Sequence, residues 1–387
     1  MNRSQKILVV GGDGFCGWPT ALNLADAGHD VIIIDNLSRR AIEREIGAVS
    51  LTPIASISDR VAKAAKLVGN ISFRNIDVAR QYDELLKTIT SVKPDTIIHF
   101  GEQRAAPYSM LGDRQRRYTV DNNVPGTHNI LSAIVESRLD IHLVHLGTMG
   151  VYGYSKQFGA IPEGYLDITI NATDQQAEIL YPANPGSVYH MTKCLDQLLF
   201  AYYVKNWHLK ITDLHQGIVW GTQTAQTCKD ETLINRFDYD GEYGTVLNRF
   251  IVQAEKGHPL TVYGTSGQKR ALIHVSDTAA CIRLAVENAN DSQLSARVRI
   301  FNQVSEVRSV LEMANYVADL YGAKVGLMEN PRAELAENDL EVSNEGLRSL
   351  GFKPITLDEN LVHEVTDIAR KYRDRINGDA IMSKARW

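Results

Sequence analysis

The chain has 387 residues, 44% of them apolar and 22% charged, which is typical of a globular protein large enough for two joined lobes. Its 41 basic and 46 acidic side chains leave a net charge of −5, so no basic field indicates binding to nucleic acid or to an anionic membrane. The four cysteines lack metal-ligand spacing, no apolar run is long enough to cross a bilayer, and a strand begins almost at the first residue. We therefore expect a cytoplasmic chain with no signal peptide, bound metal or membrane-inserted segment.

Short apolar strands alternate with helix-length segments through the first half of the chain. The strand segments read KILVVGG, DVIIIDN, ISFRNIDV, DTIIHFGE and HLVHLGTMG. Continuous β-branched runs at this spacing are typical of parallel strands buried on both faces, and right-handed crossovers between them give a doubly wound fold. The pattern predicts an α/β, Rossmann-type cofactor domain over residues 1–221.

Two parts of the chain depart from this alternation. Residues 41–70 form a longer link than a simple crossover needs, and past residue 221 a polar stretch precedes further elements. These are predicted helices near 59–68, 245–256, from 276, 309–321 and 357–375, and strands in PLTVYG, ALIHV and RVRIFNQV. We expect residues 222–271 and 306–387 to form a smaller α/β lobe, with residues 272–305 returning to the first domain.

Three glycines, Gly11, Gly14 and Gly17, stand between the first strand and the first helix in VVGGDGFCG. In this position one glycine allows a tight turn, one lets a pyrophosphate approach the backbone, and one lets the helix pack on its strand. The helix N-terminus adds N–H groups and the positive end of its dipole. This loop, which includes Phe15 and Cys16, is therefore predicted to bind a dinucleotide.

Asp35 ends the second predicted strand, 18 residues after Gly17, where a carboxylate accepts hydrogen bonds from both hydroxyls of a ribose. Its negative charge would repel a 2′-phosphate, which favours NAD over NADP. Arg39 and Arg40 argue the other way, because nearby arginines accommodate such a phosphate. The cofactor-binding residues predicted next to Asp35 are Asn36, Leu37, Ser38, Arg39 and Arg40.

Ligands in an open α/β sheet bind beyond the carboxyl ends of the strands. This rule singles out Asp77 and Val78 after the third strand, the run Gly101 to Arg104 after the fourth, and Thr148 after the fifth. We expect Asp77 near the adenine. Arg104 would contact a cofactor or substrate phosphate, or would pair with a carboxylate.

A tyrosine and a lysine stand four residues apart in SVYHMTK, with Tyr189 following Thr148 by 41 residues. Tyr189 and Lys193 would share one face of a helix, as such a pair does on any amphipathic helix. A hydroxyl at a strand end followed by Tyr-x-x-x-Lys is much more specific than either feature alone. Free tyrosine has a pKa of about 10, and a neighbouring ammonium stabilises the phenolate and lowers that pKa.

Together, the glycine loop, Asp35, the NNVPGT segment with Asn122, Thr148 and the Tyr189–Lys193 pair resemble the extended short-chain dehydrogenase/reductases that act on nucleotide sugars. Longer stretches narrow the resemblance to the members that join sulfite to UDP-glucose with NAD as cofactor. These stretches are SLTPIASISDR, HFGEQRAAPYSM, NRFDYD, GHPLTVYG and NPRAE.

The resemblance implies a reaction that begins with oxidation at C4 of the hexose. Thr148 hydrogen-bonds the sugar O4, Tyr189 takes the O4 proton, C4 gives a hydride to NAD, and Lys193 holds the nicotinamide ribose. The resulting 4-ketone acidifies the hydrogen on C5, water leaves from C6, sulfite adds there, and the hydride returns to C4.

Elimination of water needs an acid or base beyond Tyr189. Related 4,6-dehydratases place Asp and Glu directly after the strand-five threonine, where this chain has Met149 and Gly150. His190 is the nearest candidate for the role, because its helix position brings it close to the sugar and imidazole titrates near neutrality. The alternative is that His190 is a hydrogen-bonded packing residue.

Further contacts follow from the same resemblance. Gln216 and Val219 would line the cofactor, and helices around residues 117–136 and 186–204 would form a homodimer. Asn248 and Arg249 head a predicted helix, where a phosphate would sit. The implied substrate-binding residues are Arg104, Thr148, Tyr189, Asn248, Arg249, Thr261, Val262, Tyr263, Arg270 and Arg332.

Two other kinds of function remain open at this point. A UDP-hexose 4-epimerase or 4,6-dehydratase needs the same glycine loop, Thr148, Tyr189 and Lys193. A non-catalytic NAD-binding or RNA-binding protein would also use this fold, although the retained catalytic trio and the lack of a basic stripe argue against it.

Overall fold

The computed structural model describes residues 3–153, 159–264, 267–289, 297–330, 340–357 and 362–386. Its strands are β1 Lys6–Val10, β2 Asp30–Asp35, β3 Ile71–Asn75, β4 Thr96–His99, β5 His142–Thr148, β6 Tyr165–Ile170, β7 Gln175–Leu180, β8 Lys210–Gln216, β9 Ile218–Trp220, β10 Leu260–Tyr263, β11 Lys269–His274, β12 Arg299–Gln303, β13 Glu306–Ser309 and β14 Val325–Met328. Its helices are α1 Gly17–Asp26, α2 Ser38–Ile46, α3 Ile57–Leu67, α4 Tyr82–Val92, α5 Ala106–Ser109, α6 Asp113–Ser137, α7 Val188–Trp207, α8 Val246–Glu255, α9 Val275–Glu287, α10 Val310–Tyr321, α11 Glu345–Ser349 and α12 Val362–Lys371.

Seven parallel strands form one sheet in the order β12-β8-β5-β4-β1-β2-β3. Strand β1 shows why both faces are covered, since Ile7 and Val9 pack into one core while Leu8 and Val10 pack into another. Because β1 pairs with β2 on one side and β4 on the other, the direction of winding reverses there, which is where such folds bind ligands. The predicted doubly wound, Rossmann-type fold is confirmed.

A second lobe covers the carboxyl edge of this sheet. Its core contains Trp220, Phe237 and Phe250 together with side chains of α10 and α12. The small sheets β13-β11-β9 and β10-β14 belong to this side of the molecule. Strand β12 returns to the large sheet beside β8, and α9 packs against α1.

The long link after β2 contains helix α2, a loop over residues 47–56 and helix α3. The loop is bonded to the second lobe, because the Leu51 N–H donates to the Phe237 carbonyl at 3.0 Å and Thr52 Oγ1 donates to the Asn235 carbonyl at 2.7 Å. Its extra length therefore serves to join the cofactor domain to the second lobe.

Several elements have no counterpart in the sequence prediction. Among them, strands β6 and β7 form an antiparallel hairpin between β5 and α7, and α2 begins directly after β2. Among the described residues, no helix is long and apolar enough to span a membrane.

The start of α7 fixes the position of the Tyr-x-x-x-Lys segment. Ser187 caps the helix, since its Oγ accepts a hydrogen bond from the His190 N–H at 3.2 Å. The Tyr189 N–H donates to Ser109 Oγ at 3.2 Å, which ties this turn to α5. The first turn of α7 is therefore held against the end of the sheet from two directions.

Candidate active site

A cavity of about 740 Å³ lies between the carboxyl edge of the large sheet and the second lobe. A smaller one of about 80 Å³ adjoins it at the end of β2. The predicted residues in the wall of the larger cavity are Gly11, Gly14, Phe15, Cys16, Gly17, Ser38, Arg39, Arg104, Thr148, Tyr189, His190, Lys193, Gln216, Val219, Arg249, Thr261, Tyr263 and Arg270. Those in the wall of the smaller one include Asp35, Asn36, Leu37, Asp77, Val78, Gly101 and Asn122.

The glycine loop is shaped for close approach of a ligand to the backbone. Gly11 has φ +81°, and a Cβ there would lie 2.6 Å from the Phe100 carbonyl carbon. A Cβ on Gly17 would collide with the Gly11 carbonyl oxygen, and Gly14 lies in the walls of both cavities. The loop therefore fits a pyrophosphate at the N-terminus of α1.

Asp35 lies where the adenosine ribose of a dinucleotide is expected. Its Oδ2 accepts from the Asp13 N–H at 3.0 Å and its Oδ1 from the Leu37 N–H at 2.7 Å. Burial, with the nearby Asp13 carboxylate, raises the pKa of Asp35 to about 6. Asp77 is held close by, since Asn36 Nδ2 donates to its Oδ2 at 3.0 Å.

The two arginines after β2 are both engaged by carboxylates. Arg39 Nη2 lies 3.0 Å from Asp238 Oδ1, and Arg40 binds Asp13 through Nε at 2.5 Å and Nη2 at 2.8 Å. Both guanidinium groups are thus already paired with protein carboxylates, which favours NAD. Arg40 lies outside both cavity walls, and its contact with the cofactor stays a prediction.

Lys193 is buried behind the cavity, with its side chain 4% exposed. Its Nζ lies 2.7 Å from Glu102 Oε2, 2.7 Å from the Leu146 carbonyl oxygen and 2.9 Å from His145 Nε2. Burial alone would lower the pKa of Lys193, but the Glu102 carboxylate and the neighbouring Tyr189 raise it. Glu102 lies within the predicted run Gly101 to Arg104 but was given no role, and His145 was not predicted, because only the fold brings the ends of β4 and β5 to this helix.

The His99, Glu102 and His145 side chains form a cluster whose ligand-type atoms lie within 4.8 Å of one another. In the described part of the chain this is the arrangement closest to a metal site. The ammonium of Lys193, hydrogen-bonded to two of the three residues, already provides the positive charge there. The expectation that the chain binds no metal stays a prediction.

Thr148 and Tyr189 face the cavity from the end of β5 and the first turn of α7. Thr148 Oγ1 accepts from the Gly150 N–H at 3.1 Å, which fixes the hydroxyl at the strand end. Both side chains are buried, Thr148 being 8% and Tyr189 8% exposed. The structure thus brings together the hydroxyl and the phenol that the sequence placed 41 residues apart.

His190 lies over the backbone of Gly150. A Cβ at position 150 would collide with Cδ2 and Nε2 of the His190 ring. The ring also lies beside that of Tyr189, with centroids 5.2 Å apart. The imidazole therefore takes up space that the side chain of any residue other than glycine would need at position 150.

The second lobe contributes part of the predicted substrate set. Thr261 and Tyr263 line the cavity, but Val262 alternates to the other face of β10 and packs in the core of the lobe. Asn248 is likewise buried inside α8 and outside the cavity wall, while Arg249 reaches it. Arg332 lies outside the described residues.

Arg104 adopts the carboxylate pairing considered above, with Nη2 2.6 Å from Asp238 Oδ2. It remains in the cavity wall, and its guanidinium lies 5.3 Å from the centre of the Phe15 ring. A ligand phosphate at Arg104 would compete with Asp238.

The fold and the two adjoining cavities define a dinucleotide-dependent enzyme of the nucleotide-sugar type. The chain belongs to the NAD-dependent epimerase/dehydratase family, whose family model matches residues 7–300. NAD is therefore its cofactor, as predicted, and the glycine loop, Asp35 and the paired arginines fit it.

Two relatives match nearly the whole chain. UDP-sulfoquinovose synthase of spinach chloroplasts (Spinacia oleracea) is 42% identical over 99% of this chain and 79% of its own length. UDP-sulfoquinovose synthase of Sulfolobus acidocaldarius is 38% identical over 99% of this chain and 98% of its own length. The predicted resemblance is confirmed by these relatives.

Solved structures agree on the fold. UDP-glucose 4-epimerase of Stenotrophomonas maltophila, with bound NAD and a UDP-sugar, matches at TM-score 0.72 and 20% identity over 96% of this chain and 100% of that one. UDP-glucose 4-epimerase of Thermotoga maritima with UDP-glucose matches at TM-score 0.70 and 19% identity over 95% and 99%.

We predict that NAD affinity falls as pH drops through about 6, because ribose hydroxyls need the ionised carboxylate of Asp35, whose pKa is raised to about 6. Calorimetric titration of NAD into cofactor-free protein between about pH 5 and pH 8 should show a constant Kd above about pH 7 and a rise approaching tenfold per pH unit below about pH 6.

Asp35→Asn is the matched variant for this titration. It should bind NAD more weakly at neutral pH and lose the acid dependence, because the amide does not titrate. A wild-type Kd that stays constant down to about pH 5 would contradict the assigned role of Asp35.

Proposed function

We propose that this chain makes UDP-sulfoquinovose from UDP-glucose and sulfite. The reaction balances without net oxidation, because UDP-glucose and hydrogen sulfite give UDP-sulfoquinovose and water. The near-full-length relatives support this activity. The observation that carries it is the His190 imidazole over Gly150 and beside Tyr189, since a 4-epimerase needs no second proton-transfer group.

Oxidation begins at the hexose O4, between Thr148 and Tyr189. The Thr148 hydroxyl, fixed at the end of β5, orients O4, and Tyr189 removes its proton as the general base. Bound NAD supplies a two-electron oxidation at C4 that is reversed later in the same turnover. Lys193 keeps a positive charge one helical turn from Tyr189, which stabilises the phenolate.

His190 acts on the C5–C6 side of the sugar. A ketone at C4 acidifies the C5 hydrogen, and the imidazole accepts that proton and passes it to the C6 hydroxyl, whose bond to C6 breaks so that it leaves as water. Hydrogen sulfite then forms the new carbon–sulfur bond at C6 through its sulfur, and the imidazole delivers the proton of the hydrogen sulfite to C5. A neutral imidazole is suited to this exchange because its pKa lies near neutrality.

The second lobe holds the UDP in this proposal. Arg249 and Arg270 reach the cavity from α8 and β11. The planar guanidinium of an arginine can donate two parallel hydrogen bonds to the oxygens of a phosphate. Thr261 and Tyr263 of β10 lie in the wall close to Arg249, whose guanidinium is 5.9 Å from the Tyr263 ring centre. They provide the edge for the uracil.

We further propose that two copies pair through α6 and α7. Apolar side chains at positions 191, 195, 198 and 202 follow one face of α7 and are exposed in the single chain, with Leu198 61% and Tyr202 56% exposed. The spacing of four, three and four residues is that of a helix face packed against other helices. A second copy would cover this stripe, which suits the homodimer implied by the resemblance.

A mixture of UDP-glucose, NAD and sulfite tests the activity directly. We expect the wild-type protein to form UDP-sulfoquinovose, identified by mass spectrometry, and Tyr189→Phe to lower the rate by at least about 100-fold because the base is lost. UDP-galactose without a sulfonated product would show an epimerase instead. Failure to oxidise any UDP-hexose together with tight RNA binding would show a non-catalytic protein.

The proposed role of His190 predicts that its removal slows sulfonation much more than the oxidation at C4. In His190→Ala, reduction of NAD by UDP-glucose should persist within a few fold, while sulfonation falls by about 100-fold or more. Absorbance of the reduced nicotinamide follows the first step and mass spectrometry the second. His208→Ala, at the exposed end of the same helix, is the control, and full sulfonation by His190→Ala would remove the histidine from the mechanism.

The proposed dimer predicts that a single substitution in α7 changes the mass of the protein in solution. Leu198→Glu places a charge in the middle of the proposed interface and should give a monomer in sedimentation equilibrium, because burying an unpaired carboxylate is unfavourable. Leu327→Glu, on β14 and 64% exposed, should leave the mass of the wild type unchanged. A monomeric wild-type protein would contradict the proposal.

A further inference from the structure

The carboxylate of Glu102 is buried beside the Lys193 ammonium. Its side chain is 2% exposed, and Oε2 lies 2.7 Å from Lys193 Nζ. Its other oxygen, Oε1, accepts from Thr127 Oγ1 at 3.2 Å and lies 3.2 Å from His145 Nε2. Both oxygens are therefore fixed by neighbours from α6, α7 and β5.

Glu102 differs from the other carboxylates near Lys193. Asp196 Oδ2 is 4.0 Å from Nζ, and burial together with the Glu102 carboxylate raises the pKa of Asp196 well above its usual range. Asp213 is paired with His145 at 2.8 Å and with His215 at 2.9 Å. Among the described residues, Glu102 is thus the ionised carboxylate in direct contact with the ammonium.

Glu102 and Lys193 each stabilise the charged form of the other. Burial alone would raise the pKa of Glu102, but Lys193 and His145 hold it well below its usual range. His99 Nε2 approaches the same carboxylate at 3.3 Å, and burial lowers the pKa of His99 to about 4, so that ring stays neutral. His145, 3.2 Å from Glu102 Oε1, is also paired with Asp213, whereas the Lys193 ammonium, 2.7 Å from Glu102 Oε2, has Glu102 as its nearest carboxylate among the described residues.

The surroundings of Lys193 also fix its position. The ammonium is paired with Glu102 Oε2 at 2.7 Å, donates to the Leu146 carbonyl at 2.7 Å, and lies 2.9 Å from His145 Nε2. His145 is itself bonded to Asp213 Oδ1 through Nδ1 at 2.8 Å, and against the effect of burial Asp213 and Glu102 raise the pKa of His145 to about 9. Lys193 is held in one orientation at the end of β5, one helical turn from Tyr189.

We propose that Glu102 is the positioning residue of Lys193: its carboxylate fixes the ammonium at the end of β5 and balances its charge, so that Lys193 remains protonated beside Tyr189 during catalysis. The proposal rests on the proposed function, in which Tyr189 is the general base. Glu102 acts through Lys193 and does not itself touch the reacting atoms.

A pH profile separates this role from a merely structural one. In Glu102→Gln the buried ammonium lacks its counter-ion and loses its proton at lower pH, so the alkaline limb of NAD reduction by UDP-glucose should move down by about one to three pH units. Glu102→Asp keeps the charge and should keep the wild-type limb at a reduced rate. The KM for UDP-glucose should stay within about twofold in both variants.

Glu163→Gln is the matched control. Glu163 is also a partly buried carboxylate, but it accepts hydrogen bonds from the Asn302 and Gly346 N–H groups, at 3.2 Å and 2.8 Å. Its amide variant should retain the alkaline limb of the wild type. An unchanged limb in Glu102→Gln as well would overturn the proposal.

A double-mutant cycle tests the contact without any substrate. Lys193→Met leaves Glu102 buried and unpaired and should lower the thermal midpoint, and adding Glu102→Gln should restore part of the loss. Absence of recovery would overturn the pairing, whatever reaction the protein catalyses. If the wild-type protein oxidises no UDP-hexose, the proposed function fails, and this cycle still decides for or against the Glu102–Lys193 pair.

Discussion

A buried ammonium needs anions arranged around it, because an uncompensated charge away from water costs several kcal/mol. The site depends on this constraint at Lys193. Residues beyond β4 supply Glu102, β5 supplies His145 and the Leu146 carbonyl, and β8 supplies Asp213, which orients His145. Parallel pairing of these three strands is what brings the groups to one edge of the sheet. The same edge carries Thr148, so the arrangement that stabilises the cation also positions the hydroxyl proposed to orient the sugar O4.

A second cluster of ion pairs holds the glycine loop at the cofactor-binding end of the cavity. Asp13, within the glycine loop, binds Arg40 of α2 and Arg60 of α3, with Arg60 Nη1 2.6 Å from Asp13 Oδ1. Arg60 also donates to the Ile234 carbonyl at 3.2 Å, and Asn235 Nδ2 donates to the Phe15 carbonyl at 3.0 Å. The loop that accepts the dinucleotide is thereby bonded to the second lobe, and the two halves of the cavity are held in a fixed relation.

Structural features that depend on local sequence pattern could be predicted from the sequence. Continuous apolar strands, the glycine spacing and the Tyr-x-x-x-Lys helix follow from periodicity and backbone sterics, and the sheet has the predicted class. The β6–β7 hairpin is an insertion between β5 and α7 that the alternation of strands and helices does not predict, although YLDITI is rich in residues that favour strands. The partners of Lys193 and of Arg40 could not be predicted, because they come from distant segments of the chain that meet only after folding. Strand alternation would have excluded Val262 as a side-chain contact, had it been applied residue by residue.

In the proposed mechanism, the contact between His190 and Gly150 is how one scaffold accommodates a different proton-transfer group. Two residues after Thr148, a glycine leaves the space that the imidazole of α7 fills. A carboxylate at position 150 would be carried by the turn after β5, whereas His190 is carried by the helix that also bears Tyr189. The two groups are adjacent residues with rings 5.2 Å apart, so their separation is set by a single helical turn capped by Ser187. A base for O4 and a base for C5 on one rigid element keep their spacing while the sugar changes from alcohol to ketone, which a reaction with successive proton transfers in one cavity requires.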